Sequence, residues 1–153
     1  MGINAVMYVE GTGGQVTEEL PIMLNGDGKF LASLVFDWFT DPARLKKLGL
    51  SRTTAESLSA LETDYEEIHS EADIPWRESR ATLDALIAFR ERLPYMKEVH
   101  SAITKTDPNA SFHQWYYDDL VVGWWEQKND LDDAIEACRW ATDHNRRVWL
   151  LIS

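Results

Sequence analysis

His113 lies five and six residues ahead of the adjacent carboxylates Asp118 and Asp119. A histidine beside carboxylates can act as a general acid or base, so these three are the candidate catalytic residues. No motif places a Ser or Cys nucleophile, and the strained Gly-x-Ser-x-Gly turn is absent. A histidine among Trp and Tyr residues more often fills a structural, half-buried place. Glu66 and His69 have the Glu-x-x-His spacing of di-metal carboxylate bundles. Such a site needs a second pair and two further carboxylates, which the chain does not supply, so no metal is expected. Asp130, Asp132 and Asp133 lack the glycine and distal glutamate of a calcium loop and read as helix capping. Gly11-Thr12-Gly13-Gly14 is followed by Gln15-Val16-Thr17, a poor helix start, and lacks both the dinucleotide fingerprint and the phosphate-loop lysine. No cofactor is expected.

The strongest binding candidate is aromatic. Six of the fourteen residues from Phe112 to Trp125 are Phe, Tyr or Trp. Aromatic residues favour a pleated surface and Asp118-Asp119 favours a turn, so the stretch reads as two short strands forming a hairpin. Alternate residues of a strand face opposite ways. Trp115 and Tyr117 then share a face with His113, while Trp124 and Trp125 point to opposite sides. Either helices cover both faces and the aromatics are core, or one row is left for a partner. The expectation is core for most of the stretch, with Trp115, Tyr117 and Trp125 the residues for exposure. Trp and Tyr commonly anchor protein interfaces and stacked ligands.

The net charge is −11, with 26 acidic against 15 basic side chains. That argues against nucleic acid as a partner, which calls for a basic stripe, and it suits a protein partner with a basic surface. Two acidic blocks stand out: residues 51–73 hold seven acids against one Arg, and residues 106–133 hold seven against one Lys. Glu62 and Glu66 of the first block, with Asp118 and Asp119 of the second, join the aromatic residues as candidate partner-binding positions. Intramolecular neutralisation of the Glu62–Glu66 and Glu67–Glu71 pairs by Arg77 and Arg80 is the simpler reading of the first block. The apolar fraction of 44% excludes extended disorder. No apolar run reaches the length of a membrane span. The start of the chain has no signal-peptide pattern, and the single cysteine, Cys138, suits a reducing compartment; the expected location is cytoplasmic.

The elements that must position these residues follow from periodicity. Ile3–Val9 is β-prone, with Ala5, Met7 and Val9 on one face and Val6 and Tyr8 on the other. A helix is predicted from Lys29 to about Thr40, with Phe30, Phe36 and Phe39 widening its apolar face, then a short helix from Pro42 through Leu48 capped by Gly49. Thr53-Thr54-Ala55-Glu56 has capping-box spacing, and Leu58, Leu61, Tyr65, Ile68 and Ala72 continue a helical stripe. The next helix is predicted from Trp76 to Arg92, and after Pro94 a final turn or two from Tyr95 to Ile103. Asn129-Asp130 caps a helix with Leu131, Ala134, Ile135, Cys138 and Ala141 on its buried stripe and Trp140 beside it. Val148–Ile152 is the last strand, expected to join the hairpin's sheet, alongside Leu120–Glu126.

The expectation is a single α+β domain over residues 1–153. Its small mixed sheet is built from the N-terminal strand, the aromatic hairpin and the C-terminal strand, with about four to six helices packed on it. The function expected is that of a non-enzymatic acidic protein that inhibits or sequesters a protein partner with a basic surface. Compact acidic character with aromatic clusters is shared by interbacterial immunity proteins and phage-encoded inhibitors, an analogy of composition. The alternatives are a small-ligand binder or enzyme with an aromatic-lined pocket near His113, and self-association in a structural role.

Overall fold

The structure, a computed structural model, describes residues 5–13, 29–61, 68–104 and 129–152. These form an α+β fold in which six helices pack with a two-stranded antiparallel sheet. Strand β1 (Ala5–Val9) pairs with β2 (Val148–Ile152), in a register running from Ala5 opposite Ile152 to Val9 opposite Val148. The aromatic hairpin expected beside them lies outside the described residues, as do residues 14–28.

Helix α1 (Lys29–Leu34) continues as a π-helical segment over Val35–Phe39, closed by Thr40 N–H donating to the Val35 carbonyl at 3.2 Å. The predicted apolar face is buried at Leu31, Leu34, Val35, Trp38 and Phe39, but Phe36 points outward and is 47% exposed. Asp41 caps α2 (Pro42–Lys47), accepting from Arg44 N–H at 3.2 Å, with Pro42 at the first helical position where its missing N–H costs nothing. Gly49 ends the helix at φ +93°, as predicted. Its N–H donates to the Lys46 carbonyl and that of Leu50 to the Leu45 carbonyl, a Schellman closure.

The helix predicted from Thr53 differs in both ends. Ser51, not Thr53, caps α3 (Arg52–Ser59) by accepting from Thr54 N–H. The helix stops at Ala60 rather than continuing to Ala72; residues 62–67 lie outside the described residues. At Ile68–Ser70 the chain is not helical, because the Asp73 carboxylate accepts from the backbone N–H groups of His69 and Ser70, each at 3.1 Å. A local side-chain acceptor of this kind competes with helical bonding. Glu71–Asp73 is a single 3₁₀ turn.

Helix α4 (Ser79–Glu91) starts three residues after the predicted Trp76. The reason is long-range: Arg77 exchanges two backbone hydrogen bonds with Val148, at 2.8 and 2.9 Å, forming an isolated bridge to β2. After a 3₁₀ turn at Leu93–Tyr95, α5 (Met96–Thr104) follows, then α6 (Asn129–Asp143). The predicted stripe of α6 is buried throughout, at Leu131, Ala134, Ile135, Cys138 and Ala141, and Trp140 is half-buried. Asn145 ends that helix at φ 57°.

One contiguous core joins the inner sheet face to α1, α4 and α6. Helix α4 packs on both α3 and α6 and buries Phe89 against the π-helical segment. Phe89 is fully buried, edge-on to Phe39 with ring centroids 5.0 Å apart and to Trp38 at 6.5 Å. Edge-to-face packing suits the positive rim and negative face of aromatic rings. Phe89→Ala is expected to cost about 3–5 kcal/mol in chemical denaturation, because the cavity is walled by two rigid rings. Gly49→Ala is expected to cost about 1–2 kcal/mol. A methyl there would stand 3.0 Å from the Arg92 guanidinium, which donates to the Leu48 carbonyl at 2.7 Å, on a backbone that side chains disfavour. An unchanged denaturation midpoint in either variant would contradict this packing.

Candidate functional site

The residues singled out by sequence are His113, Asp118, Asp119, Trp115, Tyr117, Trp125, Glu62 and Glu66, and all eight lie outside the described residues. Of the related positions that are described, His69 is exposed and non-helical. Arg80 pairs with Asp84 on its own helix at 3.8 Å, while Glu62, Glu66 and Glu67, which it was expected to neutralise, lie outside the described residues. Asp132 sits in the first turn of α6 as expected, and it also binds the Arg90 guanidinium of α4. Among the described residues no group of three or more His, Cys, Asp or Glu side chains could hold a metal ion. No helix there is long and apolar enough to cross a membrane. Burial pushes the Cys138 thiol up to about 12, which keeps it protonated and unreactive.

The acidic excess is uneven along the sequence. The described residues carry fifteen of the 26 acids and thirteen of the 15 bases, a net of −2. The other eleven acids fall in residues 14–28, 62–67 and 105–128, against two lysines, a net of −9. Much of the framework's charge is paired within itself, through Arg52–Glu56, Arg44–Asp41, Arg90–Asp132 and Arg139–Glu136. Of that excess, residues 62–67 carry −4, residues 14–28 carry −3 and residues 105–128, which include the aromatic stretch, carry −2.

A second aromatic group, not foreseen from sequence, occupies the outer face of the sheet. Alternation places Ala5, Met7, Val9, Val148, Leu150 and Ile152 on the inner face, all buried. Val6, Tyr8, Trp149 and Leu151 are left on the other. Tyr8 stacks on its cross-strand partner Trp149, ring centroids 5.5 Å apart, and Trp76 meets the same indole edge-on at 6.2 Å. Trp149 is 6% exposed, and its Nε1 is buried with no hydrogen-bond acceptor among the described residues. The period-two pattern of Tyr8 and Trp149 was available in sequence. Trp76 was not, since its place depends on the Arg77–Val148 bridge.

This outer face ends in a charged clasp. Glu10 N–H donates to the Arg147 carbonyl at 2.8 Å, and the Arg147 guanidinium holds the Glu10 carboxylate, with Nε–Oε1 at 3.0 Å. Arg146 adds a longer contact to the Glu10 carbonyl. The hydrogen bond from Arg147 outweighs partial burial and holds the Glu10 carboxyl below its ordinary value of 4.5. A lowered folded value means that the stabilisation is present above pH 4.5 and is lost as pH falls through the folded value. Glu10→Gln cannot titrate. The stability difference between wild type and this variant is therefore expected to shrink as pH drops below 4.5, read by denaturant titration across the acid range. A difference independent of pH would show that the clasp contributes nothing through ionisation.

None of the known protein families, curated proteins or solved structures compared with the chain matches it.

Proposed function

We propose that this is a non-enzymatic binding protein that inhibits or sequesters a protein partner with a basic surface, in the manner of immunity proteins and phage-encoded inhibitors. The observation that carries the reading is the placement of acids along the sequence. Residues 51–73 hold seven acids against one Arg and residues 106–133 hold seven against one Lys, and the second block contains six aromatic residues within fourteen. Solubility alone does not call for that placement, since a dispersed excess of acids would serve it equally. Acidic groups around aromatic anchors give long-range attraction with short-range contact area: the charge speeds and orients encounter, and Trp and Tyr supply the buried surface.

In this reading Trp115, Tyr117 and Trp125 are the anchors, and Asp118, Asp119, Glu62 and Glu66 form the acidic rim. The reading places the partner in the same compartment as the chain, which we take to be the cytoplasm.

The test is affinity capture with the full chain as bait, repeated across a salt series. A basic partner is expected to elute as ionic strength is raised about tenfold, because screening shortens the reach of exposed charges. Asp118→Lys with Asp119→Lys is expected to weaken binding on the order of tenfold or more, chiefly through slower association, while the denaturation midpoint stays near wild type. Trp115→Ala is expected to accelerate dissociation instead. A partner indifferent to salt and to charge reversal, or recovery of no partner, would overturn the reading.

A further inference from the structure

We draw no further inference here: the strongest candidate, the aromatic outer face of the β1–β2 sheet where Tyr8 and Trp76 pack on Trp149 with its buried Nε1, carries nothing because nothing in the structure shows what covers it.

Discussion

Pairing of β1 with β2 brings together residues near the two ends of the sequence, with Ala5 opposite Ile152. Closing so long a loop is less costly than its length suggests, since each doubling adds only about 0.6 kcal/mol. The harder constraint is that an isolated two-stranded sheet is marginal in water. These strands persist because α6 and α1 cover their inner face, where Met7, Val9, Val148 and Leu150 are all buried. The Arg77–Val148 bridge supports β2 from its other edge, and the Glu10–Arg147 clasp closes the end of the ladder. Sheet and helices are thus mutually dependent, and the framework should unfold as one cooperative unit.

The same dependence explains where α4 begins. Arg77 commits its backbone N–H and carbonyl to β2, so the helix cannot extend back through Trp76. Trp76 is freed from the helix and set against Trp149 on the outer sheet face. At its other end α4 supplies Phe89 to the Trp38–Phe39 pair and Arg92 to the Leu48 carbonyl beside Gly49. One helix therefore links the sheet, the π-helical segment and the end of α2.

What could be read from sequence was whatever is local. The α6 stripe, the Asp41-Pro42 start, the Gly49 stop and the alternation of Ala5, Met7 and Val9 each depend on neighbours within a few residues, and each is present. The errors arose where a distant or competing acceptor decides the backbone. Val148 redirects Trp76-Arg77, and the Asp73 carboxylate takes the amides of His69 and Ser70 away from a helix that Ile68 and Ala72 would otherwise extend. Ser51 rather than Thr53 caps α3; both are good capping residues, and the choice rests on one turn of backbone. Phe36 shows the limit of apolar periodicity: it lies in the π-helical segment, where Val35, Trp38 and Phe39 are buried and it is 47% exposed. The candidate site is a reading of composition: the aromatic stretch lies within residues 106–133, which hold seven acids against one Lys. Its geometry lies outside the described residues.

The proposed function requires that the acidic and aromatic residues in 62–67 and 105–128 contact a partner with a basic surface. Hydrogen exchange on the full chain, free and saturated with the partner recovered by salt-sensitive capture, tests it most directly. The account predicts slowed exchange on binding within residues 62–67 and 105–128, with α4, α6 and the β1–β2 ladder unchanged. Protection confined to the framework, with those two segments exchanging as in the free protein, would contradict it.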